Sequence, residues 1–231
     1  MDVHGPKIVF TLPIFGGIGV SETITTSWII MAGIILFFWV STRKLERVPK
    51  GKQIFVEAFV GGMNGLVAET MGKKYMGYAP YIGSLFLFAL LSNLSGLLGF
   101  RPPTADLNTT LAWALVTFSL IHLNGIRSKG FLGWVKGFMD PIPLMLPLNI
   151  VGELATPVSL SFRMFGNISG GFVIMGLLYA VLKFAGETLI GMPILAVGIP
   201  AFLHIYFDVF AGVLQAFIFI MLTMVFVSSS E

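Results

Sequence analysis

Cysteine is absent from this chain of 231 residues, which excludes disulfides, thiol catalysis and thiolate metal sites without fixing a compartment. Charge is scarce too. Asp, Glu, Lys and Arg make up 11% of the sequence, where a soluble domain carries about 25%. There is no Walker A loop, no HExxH and no CxxC motif, so nucleotide chemistry, if linked to this protein, belongs to another polypeptide. No internal repeat of the kind common in secondary carriers is visible. No basic cluster precedes the first hydrophobic run, which argues against a secretory signal and for a first span that stays in the mature protein. No cofactor and no metal site are expected.

What is abundant is apolar. Hydrophobic residues reach 56%, with 22 Phe and 27 Gly, and the mean hydropathy is +0.91. The apolar runs are too long and continuous for a β-barrel. The expected fold is all-α: a polytopic helical membrane protein with about five crossings and one or two interfacial amphipathic helices. The net charge of +3 is small, and its basic residues are grouped, so they speak to membrane orientation and not to nucleic acid.

Residues 1–21 form a Gly-rich, mostly extramembrane lead-in. Trp28 to Val40 is the first span, closing on STRKLERVPKGK, where Arg43, Lys44, Arg47, Lys50 and Lys52 outnumber Glu46. By the positive-inside rule that loop is cytoplasmic, which puts Met1 outside and Glu231 inside. Gln53 to Met71 repeats apolar residues at helical spacing around Glu57, Asn64 and Glu69, as an amphipathic or shallow re-entrant helix does. Tyr81 to Leu98 is the second span, and Asp106 stands ready to cap the third, Thr109 to Ile126. Gly130 to Leu146 reads as a second interfacial segment, rich in aromatics and proline.

The remainder is two long segments. Leu148 to Leu182 would be about 50 Å long as one helix, against roughly 30 Å of hydrocarbon, so it must tilt steeply, bend or run along the interface. It carries Asn149, Glu153 and, near its middle, Arg163, with Asn167 one turn on and Gly170 and Gly171 close to the same face. A lone guanidinium at membrane depth costs a few kcal/mol or more and is kept for a water-filled crevice or a carboxylate. The second segment, from about Pro193 to Val227, carries His204, Asp208 and Gln215 in a polar stripe, with a kink expected at Pro200. Two such helices suggest a charged interface or an aqueous half-path. Spacing alone also fits a structural Arg163–Asp208 ion pair, Asn167 as a helix–helix hydrogen bonder, and a structural or interfacial His204. Closely packed small faces account for the glycines, and Gly170 and Gly171 would also leave room for a large partner side chain.

The runs PLNIVGELATPVSLSFRMFGNISGG and HIYFDVFAGVLQAFIFIMLTMVFVS closely resemble subunit a of the membrane sector of bacterial F-type ATP synthases, and RPPTADLNTTLAWAL is similar to that family's third-span entry. The resemblance covers essentially the whole chain. It implies that Arg163 is the stator arginine facing the carboxylates of the rotating c-ring, that Asn167 and Gln215 are its neighbours, and that Glu153 is the acidic residue preceding it. Asn93 and Asp106 match polar positions of the family. Two positions depart from the best-known pattern: Phe172 stands where many members have glutamate, and Asp208 where some have histidine. Asp208, beside His204, is therefore the candidate outer acid.

The implied function is ion conduction, of H⁺ or Na⁺, through two offset half-channels coupled to ring rotation. The implied partners are the c-ring, peripheral-stalk b subunits, the lipid bilayer and, indirectly, the soluble F1 sector. The implied setting is the bacterial inner membrane. One membrane domain is expected over 1–231: a lead-in to residue 22, three spans with interfacial helices over 23–146, and a long helical hairpin facing the ring over 147–231, its two helices strongly tilted. Two rival classes stand beside this one: a self-contained channel or carrier with Arg163 binding an anionic solute, and a purely structural membrane subunit.

Overall fold

The computed structural model describes residues 7–13, 18–140, 142–190, 200 and 202–230. The expectations placed on Met1, Glu231 and the start of the last segment near Pro193 lie outside the described residues. So do the neighbours of Pro200, at 191–199 and 201, on which the expected kink depends.

Among the described residues, five helices are long and apolar enough to cross a membrane: Glu22–Thr42, Lys73–Leu98, Leu107–Gly137, Pro143–Thr188 and Phe202–Ser229. The protein is an all-α polytopic membrane protein, with one addition. The lead-in is not featureless: β1 (Ile8–Leu12) and β2 (Ile18–Ser21) pair antiparallel. The backbone N–H of Glu22 then donates to the carbonyl of Lys7 (2.9 Å) and ties the ribbon to α1 (Glu22–Thr42). A short segment outside the long helices satisfies part of its backbone by pairing, where a membrane-crossing helix satisfies its own internally.

Helix α2 (Lys52–Thr70) has the expected extent of the amphipathic segment and does not stand apart from the bundle. Phe59 stacks on Phe86 of α3 (Ala79–Leu94), and Phe38 of α1 meets it edge-on. Beyond α3 a 3₁₀ turn over Ser95–Leu98 ends at Gly99, whose φ of 79° needs glycine. Helix α4 (Leu107–Gly137) starts as the sequence predicts. Asp106 caps it, accepting from the backbone N–H of Asn108 at 3.1 Å, and its other oxygen accepts from Thr23 Oγ1 of α1 at 3.2 Å.

The third span and the start of the second interfacial segment are two helical stretches of α4 that meet at a sharp break at Gly130 (φ 72°, ψ 163°), a conformation closed to most L side chains, and the boundary falls where the sequence places it. The bend carries residues 131–137 away from the span. Helix α5 (Leu146–Ile190) runs 45 residues, about 68 Å at 1.5 Å per residue. It extends past the expected segment at both ends and cannot stand upright in a core of about 30 Å. The last span contains a π-helical turn at Ile205–Phe210 and then α6 (Ala211–Ser229).

The core forms where α3, α4 and α6 meet. One cluster joins Val67 and Met71 to Ile82, Ile121, Ile220 and Met224. A second joins Ala89, Ala114, Ala216 and Phe219 to Leu160 and Met164 of α5. Three polar ties cross this core. Thr117 bonds Thr223 at 3.3 Å, Asn93 Nδ2 donates to the Gly212 carbonyl at 2.7 Å, and Asn124 Nδ2 donates to the Val227 carbonyl at 2.9 Å. In an apolar surrounding such bonds fix helix register.

Candidate functional site

Leu160, Met164, Ile168 and Met175 form the buried stripe of α5, at spacings of four and seven residues. That stripe decides what the rest of the helix can do. Arg163 lies one residue off it and is exposed. It makes no ion pair and no hydrogen bond among the described residues. The structural pair with Asp208 does not form: Asp208 Oδ2 instead takes His204 Nδ1, at 2.5 Å. An exposed guanidinium midway along a membrane-crossing helix cannot face hydrocarbon without a cost of several kcal/mol. Its surroundings must supply water or a negative charge.

The same face is empty of neighbours. A methyl group added at Gly166 or Gly170 would meet nothing within 4 Å, and one at Gly171 would just touch Phe207, at 3.8 Å. Among the described residues, the close packing expected of these glycines is therefore not made at Gly166 and Gly170. Asn167 reaches back from the open face, its Nδ2 donating to Oε1 of the buried Gln215 at 3.4 Å. The two residues are 48 apart in sequence. They bridge α5 and α6 one turn from Arg163.

Cavities with titratable side chains in their walls lie on either side of the arginine along α5. The larger, about 560 Å³, is lined by Asn149, Glu153 and Thr156 of α5, by His122 and Lys129 of α4, and by Ser230. Asn149 builds its wall: Nδ2 donates to the carbonyls of Phe138 (2.9 Å) and Asp140 (3.0 Å), holding the bent end of α4 against the start of α5. Pro157, inside α5, has no N–H to give the carbonyl of Glu153, so one polar group beside this cavity is free of the helix ladder. The smaller cavity, about 150 Å³, lies beyond Arg163 and is lined by Gly171, Phe172, Met175, Tyr179, His204 and Asp208. The π turn carries Asp208, and such turns recur at functional sites because they open the helical ladder. Here the imidazole is held at both ends, by Asp208 on Nδ1 and by Tyr179 Oη on Nε2 at 3.1 Å.

All six residues singled out from sequence thus fall on this one assembly. Arg163, Asn167 and Gln215 lie at its middle, Glu153 by the larger cavity, and His204 and Asp208 by the smaller. Sequence reasoning passes over Tyr179, His122 and Pro157. Tyr179 sits at the end of an apolar run, four residues before Lys183, and only the fold brings it to His204. His122 is enclosed by Phe118, Trp134 and Phe138, an aromatic surround that only the bend at Gly130 assembles.

Comparison with known proteins agrees along the chain's length. Residues 24–228 match the family model described as ATP synthase A chain. The sodium-ion-specific ATP synthase subunit a of Propionigenium modestum is 39% identical, over 99% of this chain and 86% of that protein. The ATP synthase subunit a of Moorella thermoacetica is 37% identical, over 93% of this chain and 92% of its own length. That of Geobacter sulfurreducens is 38% identical, over 91% and 87%.

Proposed function

The chain belongs to the ATP synthase A chain family, a membrane component of ion-driven ATP synthesis, and from that premise we propose that Arg163 is the fixed charge of its ion path. The ring of c subunits covers the open face of α5, the larger cavity is the inner half-channel, and the smaller is the outer one. The observation that carries this reading is an exposed arginine, unpaired among the described residues, on a face open at Gly166 and Gly170, between two separate cavities that each hold titratable groups.

The chemistry follows from the guanidinium. A guanidinium keeps its charge where a lysine can lose it. Opposite a ring carboxylate it favours the ionised form, so a bound ion must leave before that site passes. It also repels cations, which blocks a direct leak between the two cavities. An ion crossing roughly 100 mV releases about 2.3 kcal/mol, collected in rotational steps. Asn167 and Gln215 hold the crossing of α5 and α6 in register around it. Glu153 serves the inner path. Asp208, with His204, serves the outer one and stands in for the acid that Phe172 replaces.

The coupling ion is H⁺ or Na⁺, the name of the Propionigenium relative keeping Na⁺ in view. Lys129 lines the larger cavity, with Arg127 close by in sequence. By the positive-inside rule that end is the cytoplasmic one, the side also assigned to the loop from Arg43 to Lys52. Family membership favours this stator over the stand-alone carrier and the purely structural subunit. One membrane domain, a bacterial inner-membrane location and contact with peripheral-stalk b subunits complete the reading.

Arg163→Ala and Arg163→Lys test it directly. Both are expected to leave the subunit in the membrane and to abolish, or nearly abolish, ion-driven ATP synthesis. Lysine keeps the charge and loses the planar fork of donors. Normal abundance with near-wild-type synthesis in either variant would sink the proposal.

A further inference from the structure

We infer that Tyr179 is a positioning residue of the outer cavity, which holds the His204 ring with Nδ1 on Asp208 and thereby governs how Asp208 exchanges its ion. The inference rests on the reading of Asp208 as the outer acid. Its geometry is a chain of three side chains on two segments: Tyr179 Oη to His204 Nε2 at 3.1 Å, and His204 Nδ1 to Asp208 Oδ2. All three line the same cavity of about 150 Å³. The imidazole and the carboxylate are themselves only partly exposed, at 31% and 22%.

The donor inventory fixes the arrangement. An ionised carboxylate only accepts, so Nδ1 carries the hydrogen, and Nε2 then offers a lone pair to the Tyr179 hydroxyl. The Tyr179 hydroxyl can donate or accept, so it holds Nε2 whichever way the proton lies and keeps Nδ1 turned toward Asp208.

Few other charges compete. The remaining lining residues, Gly171, Phe172, Met175 and Gly176, do not titrate. Helix α3, packed against the π turn, brings no Asp, Glu, Lys, Arg or His. On α5, Lys183 and Glu187 stand one and two turns beyond Tyr179, and Arg163 stands four turns before it.

Without the hydroxyl, Nε2 loses its partner and the ring is free to turn away from Asp208, which then loses the Nδ1 contact. Tyr179→Phe keeps the aromatic ring and its packing and removes only the hydroxyl. The measurement is the pH profile of ATP-driven ion pumping in inverted membrane vesicles carrying the whole synthase, with subunit abundance determined in the same vesicles. The expected result is normal abundance and an acid midpoint displaced by about 0.5 pH unit or more, roughly a threefold change in proton affinity.

His204→Gln supplies the control, since its amide can bond both neighbours and has no ring to titrate. In that background Tyr179→Phe should shift nothing further. An unmoved midpoint, a lowered abundance, or an equal shift in the His204→Gln background would each overturn the inference. Asp208→Asn separates the two levels of argument. If it leaves pumping and its pH dependence intact, the outer-acid reading falls with the inference. If Asp208→Asn slows pumping while Tyr179→Phe shifts nothing, only the role of Tyr179 falls.

Discussion

Two pairs of glycines divide this molecule. At Gly212 an added methyl would press on Asn93 at 3.3 Å, and at Gly125 on Trp134 and the Ser230 carbonyl at 3.2 and 3.3 Å; at Gly166 and Gly170 it would meet nothing. The first pair belongs to the bundle of α3, α4 and α6, where helices approach closely and polar ties cross between them. The second belongs to the face of α5 around Arg163. The last span is 39% buried in its most apolar stretch and the α5 span 11%, although both are apolar enough to cross a membrane. Composition is thus alike while packing differs. A helix face that spends its glycines on open space, beside an unpaired charge, is shaped for something outside the chain.

Three kinds of substitution probe that difference, from the largest expected effect to the smallest. Phe219 is 1% exposed and packs with Trp113 at the junction of α4 and α6. Phe219→Ala should cost about 3–5 kcal/mol through lost contacts and the cavity left behind. The expected sign is loss of the subunit from the membrane fraction, read by immunoblot. Full abundance would mean that the bundle is not the rigid half.

Glycine replacements then set the two regions against each other. Gly212→Val should destabilise by about 1–3 kcal/mol from overpacking and lower abundance. Gly170→Val should leave abundance unchanged and still depress ATP synthesis if, as proposed, the ring covers that face, because the added volume meets no described residue of this chain. If both variants lose abundance equally, the open face is packed in the assembled subunit, and the contrast disappears. Thr117→Val is the mildest. It removes the hydroxyl that bonds Thr223 at 3.3 Å and the Tyr81 side chain, contacts of a kind that average about 0.6 kcal/mol each between membrane helices. A small fall in the temperature of irreversible aggregation in detergent, with activity intact, is the expected outcome.

Several elements are legible in the amino-acid sequence alone. Asp106 caps α4 because an acceptor ahead of an apolar run needs no tertiary help to find the free N–H groups of the first turn. Arg163 is conspicuous because charge in an apolar run has few explanations. Asn167 and Gln215 are marked by spacing, yet their meeting at 3.4 Å depends on how α5 and α6 cross.

Gly130 reads as a boundary between two segments and is one, its non-helical backbone ending the span and turning the chain into a second helical stretch. The departure from expectation lies in what surrounds a helix face. Gly166 and Gly170 read as packing positions because small residues in apolar helices usually are, and only the placement of neighbours shows that nothing fills the space. Local pattern determined that this chain crosses the membrane in helices, how the third span is capped, and which side chains stand out in apolar surroundings. Tertiary structure decided which of these residues meet: that His204 belongs to Asp208 and Tyr179, that Asn149 clasps the end of α4, and that Arg163 is left without a partner among the described residues. Helix periodicity specifies a face. Only the packing of one helix on another specifies what that face touches.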